Sequence, residues 1–113
     1  MAAEVNEGNL DRAVRQSEKI KPADFQIPGC ARCMVLVPAA EGLERRYHGH
    51  LKFAKISFFN NKALFSKLKI SGTPTFVVYQ NGRESERFYG DRLNMGTLEN
   101  YIQTLLDTRN NWL

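Results

Sequence analysis

Asn81-Gly82, set between Phe76-Val77-Val78-Tyr79 and Glu84-Ser85-Glu86-Arg87-Phe88-Tyr89, constrains the fold more than any other stretch. Asn-Gly tolerates the two successive left-handed residues of a two-residue hairpin turn. The run before it is apolar, β-branched and aromatic, which reads as a buried strand; the run after it must return antiparallel. The earlier candidate strands, Ala23 to Ile27 and Leu51 to Ser57, have helical patterns between them instead of tight turns. Strands joined by helices pair parallel. A parallel set with one antiparallel hairpin is an α/β fold: a mixed central sheet with helices on both faces.

The helices have their own signals. Asn9 is placed to cap a first helix over residues 10 to 19, with Leu10, Ala13, Val14 and Ser17 on one face. Pro22 lacks an amide proton and belongs at the start of the next strand or at a bulge. A helix begins at Arg32 or Cys33 and runs to about Tyr47, with Pro38 inside it as a kink and Gly49 as a C-terminal cap. A third helix covers residues 60 to 70, with Asn60 or Asn61 near its start. Asn94 caps the last, whose buried stripe is Leu98, Tyr101, Ile102 and Leu105. The tail from Thr108 reads as loosely held, with Trp112 able to pack back.

A chain of 113 residues fits one domain, 1–113, and its 42% hydrophobic content is enough to build a core without disulfide staples. No apolar run approaches the roughly 18 residues of a membrane span. The N-terminus, MAAEVNEGNLDR, lacks the basic and apolar segments of a signal peptide, so the expected location is the cytoplasm. Net charge is +4, but the 16 basic residues are scattered among acids such as Glu41 and Glu44. The densest stretch, Lys62 to Lys69, is interleaved with Leu64, Phe65 and Leu68. This pattern is a solvated helix face, not a phosphate footprint, so no nucleic-acid partner is expected.

Cys30 and Cys33, the only cysteines, stand in Pro28-Gly29-Cys30-Ala31-Arg32-Cys33 between a strand and a helix. The first amides of a helix lack internal partners and carry positive charge, so a thiolate at Cys30 is stabilised, and Arg32 adds a cation. Cys33, one turn on, is within reach to attack a mixed disulfide at Cys30. Two other readings compete. Cysteine is often a small buried apolar residue, although Gly29 and Arg32 suggest an exposed turn. Cys30, Cys33, His48 and His50 look superficially like a two-cysteine, two-histidine zinc set, but the spacing of the histidines is too tight, and no metal is expected.

Further residues join the pair. Asp24-Phe25 stands six residues before Cys30, Pro38 five after Cys33, Lys55 in the next strand, Pro74 within Gly72-Thr73-Pro74-Thr75, then Asn81-Gly82 and Gly90. In this order and spacing, residues 5 to 107 resemble the thioredoxin family. The resemblance implies a thioredoxin-like fold and a thiol–disulfide oxidoreductase that reduces protein disulfides and needs no cofactor in this chain. It implies a buried Asp24 that takes the Cys33 proton, with Lys55 countering its charge. It implies a cis Pro74 that holds the chain against the sulfurs and leaves the Thr73 backbone free to pair with an extended substrate. The implied partners are disulfide-containing proteins and a reductase or other electron donor; a monomer is the default.

The chain departs from the family pattern around the pair. Gly29 stands where an aromatic usually precedes the first cysteine, and Gln26 where another follows the Asp-Phe pair. Arg32 replaces a proline, and Phe58-Phe59 occupies a place that often holds an acid. A cation beside Cys30 favours the reduced form, which predicts a lowered thiol pKa and a more oxidising couple. The rivals are therefore an oxidising or glutathione-coupled protein of the same fold, and a non-enzymatic interaction module using the Pro74 groove or the Phe58-Phe59 surface.

Overall fold

The computed structural model describes residues 3–4, 6–15, 19–90 and 94–110. Its elements are β1 (Ala3–Glu4), a π-helical turn (Asp11–Arg15), β2 (Ala23–Gln26), α1 (Ala31–Arg46), β3 (Ala54–Ser57), α2 (Lys62–Lys67), β4 (Thr75–Gln80), β5 (Arg83–Tyr89) and α3 (Met95–Asn110). The five strands form one sheet in the order β1-β3-β2-β4-β5. β1, β3 and β2 run parallel; β4 is antiparallel to both β2 and β5. The sheet is mixed, as its hairpin signal requires. The rule that helix-joined strands pair parallel fails once: α2 leads from β3 into β4, and β4 lies antiparallel on the far side of β2.

Alternation along the strands sorts side chains between two cores. Ala23, Phe25, Ala54, Ile56, Val77 and Tyr79 face Leu10 and Val14 of the N-terminal turn and Leu64 and Phe65 of α2. Phe76 and Val78, with Phe53, face Leu36 and Leu43 of α1 and Leu98, Ile102 and Leu105 of α3. Helices therefore cover both faces. Edge-to-face ring pairs, Phe25–Phe65 at 5.3 Å and Phe53–Phe76 at 5.8 Å, anchor one core each.

Several local expectations are corrected. Of the first predicted helix, residues 10–15 are helical, with Asp11–Arg15 wound as a π-helix, Lys19 is a bend, and residues 16–18 lie outside the described residues. Asn9 turns back: its Oδ1 accepts from the Asn6 amide at 2.8 Å, the local competition typical of this residue. Phe53 donates its amide to Glu44 Oε2 at 2.8 Å rather than to a strand, so β3 starts at Ala54, not Leu51. The third helix stops at Lys67 because Lys69 adopts φ 57°, and the Ile70 amide folds back onto the Phe65 carbonyl at 2.8 Å. This is a Schellman-type end built on a lysine. Asn61 stands at the N-cap position of α2, but its side chain instead joins Glu7 N–H to the Ser57 carbonyl. Asn94 does cap α3, accepting from the Gly96 amide at 2.8 Å. α3 continues to Asn110, so residues 108 to 110 are helical; Trp112 lies outside the described residues.

Candidate active site around the Cys30–Cys33 disulfide

The site begins with a turn. After β2 the chain passes Gly29 at φ +84°, a left-handed conformation that side-chain-bearing residues avoid. The turn closes with Cys30 N–H on the Ile27 carbonyl at 3.2 Å and delivers Cys30 as the N-cap of α1. Cys30 Sγ accepts from the Cys33 amide at 3.1 Å, so the sulfur holds a place that serine or aspartate oxygen usually fills. Cys30 and Cys33 are joined in a disulfide, their Cα atoms 5.3 Å apart. Cys33 is buried at 6% exposure, whereas Cys30 is half-buried, so Cys30 is the more accessible of the two.

A second segment closes over the pair. The Thr73–Pro74 bond is cis, and the Thr73 carbonyl oxygen lies 3.8 Å from Cys30 Sγ. Pro74 is fully buried, and its carbonyl accepts from Gly90 N–H at 2.7 Å. A Cβ on Gly90 would lie 2.4 Å from both Pro74 Cδ and Pro74 O, so only glycine fits there. On its other side the Gly90 carbonyl accepts from Arg32 Nε at 3.1 Å. Arg32 is therefore more than a cation beside Cys30: it ties the start of α1 to the end of β5. Gly29, Arg32, Thr73 and Pro74 all come together at the disulfide.

Asp24 and Lys55 stand on the strands that precede and flank this turn. They face each other across β2 and β3. Asp24 is sealed at Oδ1, which has no hydrogen-bond partner among the described residues, while Oδ2 accepts from Gln26 Nε2 at 3.0 Å. Burial pushes the Asp24 carboxyl up to about 7; the Gln26 hydrogen bond and then the Lys55 charge pull against that rise. The carboxyl borders a cavity of about 160 Å³ under α1, shared with Lys55, Glu41, Glu44 and Leu36, the residue one turn on from Cys33. In the sequence Gln26 stands out only as a lost aromatic. Its contact with Asp24 follows from strand period, since residues 24 and 26 share a face.

Exposed apolar side chains stand on α1 and in the turn after β3. Met34 is 68% and Val35 64% exposed on α1, and Phe59 is 57% exposed. Phe58 packs into the core against Phe65 at 5.1 Å, and Lys62 Nζ lies over both rings, 5.9 Å from Phe58 and 5.7 Å from Phe59. Phe58-Phe59 thus divides into a core residue and a surface residue. His48 and His50 lie in the exposed turn after α1. Cys30 and Cys33 stand at the start of α1 and the histidines beyond its end, roughly 20 Å apart at 1.5 Å per residue. No helix among the described residues is long and apolar enough to cross a membrane.

Comparison with known proteins gives one family. The family model described as Thioredoxin matches residues 1–104. Thioredoxin X, chloroplastic, of Arabidopsis thaliana is 28% identical over 93% of this chain and 58% of its own length. Protein disulfide isomerase-like 2-3 of Oryza sativa subsp. japonica is 30% identical over 73% of this chain but only 19% of its own length. Thioredoxin 1 of Nostoc sp. is 25% identical over 79% of this chain and 83% of its own length. The chain thus spans little more than half of the first of these relatives and a fifth of the second.

Proposed function

Because the chain belongs to the thioredoxin family, with a Cys-x-x-Cys disulfide at the head of α1, we propose that it is a protein-disulfide oxidoreductase working in the reducing direction in the cytoplasm. The observation that carries this reading is the juxtaposition at Cys30: an N-cap sulfur fed by the Cys33 amide and faced by the Thr73 carbonyl beside cis-Pro74.

The reaction starts from the dithiol. The Cys30 thiolate attacks one sulfur of a substrate disulfide. A Cys30–substrate disulfide forms, and the other substrate sulfur leaves as a thiolate and is protonated. Cys33 then attacks Cys30 Sγ, its proton passing to the Asp24 carboxylate; the Cys30–substrate bond breaks, and the second substrate sulfur leaves as a thiolate that solvent protonates. Two electrons have moved to the substrate, and the chain is left with the Cys30–Cys33 disulfide. Lys55 counters the Asp24 charge. Gly29, Arg32, Thr73 and Pro74 form the docking rim, with the Thr73 backbone available to pair with an extended segment. A donor dithiol, such as that of a flavoprotein reductase, resets the pair.

A second reading rests on Arg32, which stands where the family pattern has proline: an oxidising or glutathione-coupled protein on the same fold. Equilibrating the Cys30–Cys33 pair against a glutathione or dithiothreitol buffer separates the two. A reductant gives a potential near about −270 mV; about −180 mV or above supports the oxidising reading. Loss of all partner binding in the Cys30→Ser/Cys33→Ser variant is also expected; full retention would favour a non-enzymatic interaction module.

A further inference from the structure

We propose that Gln26 is a positioning residue for the resolving step: its amide occupies Asp24 Oδ2, favours the carboxylate form over the acid, and leaves Oδ1 as the oxygen that receives the Cys33 proton. The inference rests on the disulfide-reduction reading above and names the group that sets its proton acceptor.

The geometry is specific. Gln26 lies on the same face of β2 as Asp24, and its Nε2 is 3.0 Å from Oδ2. An amide N–H donates, so it favours the carboxylate over the neutral acid. Oδ1 is fully enclosed with no partner among the described residues. A buried charged oxygen without a partner is costly, and protonation there removes the charge. The two oxygens are therefore unequal before any reaction begins.

The charged surroundings leave Gln26 with a distinct task. From β3, Lys55 stands directly across from Asp24. From α1, Glu41 and Glu44 border the same cavity, and Glu44 Oε2 accepts the Phe53 amide. From β4 only the apolar Phe76 faces Asp24. Burial alone would keep the carboxyl protonated at neutral pH, and a protonated acid cannot take the Cys33 proton. Among the opposing influences the Gln26 hydrogen bond outweighs the Lys55 charge. The step balances within the chain: the Cys33 S–H bond breaks, Oδ1–H forms, Cys33 Sγ bonds to Cys30 Sγ, and the substrate thiolate leaves.

The test uses the full reduced chain with Gln26→Leu and Gln26→Met, which keep the volume and remove the donor; the second guards against misfolding of the first. Asp24 is titrated directly through its carboxyl signal by infrared or carbon NMR spectroscopy. The resolving step is followed by stopped-flow as glutathione disulfide reacts. The Asp24 midpoint is expected to rise by about one to two pH units, since a hydrogen bond to a charged group is lost. Resolution at pH 7 should slow roughly tenfold, and Gln26→Leu should add no slowing in an Asp24→Asn background. An unmoved midpoint, or equal slowing with and without Asp24, overturns the inference. A wild-type chain that reduces no disulfide overturns the functional reading instead, while the Asp24 titration still judges Gln26.

Discussion

Glycine at position 29 and aspartate at position 24 are two residues whose meaning lies in the backbone around them. At φ +84° a tryptophan before Cys30 would be strained, so the missing family aromatic and the left-handed turn are one fact. The turn conformation cannot be read from Pro-Gly-Cys alone, which is why the absence looked like a simple loss of docking surface. Asp24 was readable by its spacing to Cys30, whereas the inequality of its two oxygens needed Gln26 in place. Its raised pKa also makes stability depend on pH. The folded chain keeps this proton up to about 7, while the unfolded chain releases it near the ordinary 3.8. Stability is therefore full below about pH 3.8 and falls as pH rises toward 7, by on the order of 4 kcal/mol. Asp24→Asn should be the more stable protein at pH 8, and the gap should close by about pH 4, in urea melts of the disulfide form.

Among the elements, the β4–β5 hairpin was the most readable and α2 the least. Asn81 and Gly82 take φ 53° and 82°, the pair of left-handed residues their types tolerate. Nothing about Lys69 signals a left-handed residue, so the sequence pattern runs α2 on past its true end. β1 is two residues of edge strand with no periodicity to find. The start of β3 depends on a Glu44 side chain nine residues away from Phe53, a contact no local pattern encodes. At the open end of the hairpin, Pro74 just before β4 meets Gly90 just after β5, with their backbones bonded at 2.7 Å. Gly90→Ala must push Pro74 or the end of β5 aside. We expect a loss of about 1–3 kcal/mol in urea melts, typical of overpacking, together with slower disulfide reduction because the Thr73 carbonyl moves with Pro74.

Across the whole molecule, stability resides in the two cores and not in the disulfide. The Cys30–Cys33 bond closes a ring within the first turn of α1 and joins no two elements. Chain-entropy reasoning gives so short a loop only about 2 kcal/mol. Reduction should therefore leave the far-ultraviolet circular dichroism unchanged and shift the urea midpoint modestly. Collapse on reduction would contradict this picture. The two-sided fold was readable because strands and helices alternate in a sequence with one hairpin. The antiparallel seat of β4 beside β2 was not, because the direction of a crossover depends on the return path after α2.

The outer margin of the sheet carries a last consequence. β5 ends the strand order, and Arg83, Glu84, Ser85 and Glu86 along it are all exposed, with Arg87 bound to Glu84 at 2.8 Å. Such a charged margin is a poor template for another strand and discourages fibril-like growth. At this edge, growth by strand addition would have to bring charged rows together, so the hairpin protects the sheet through its side chains where its backbone is left unpaired.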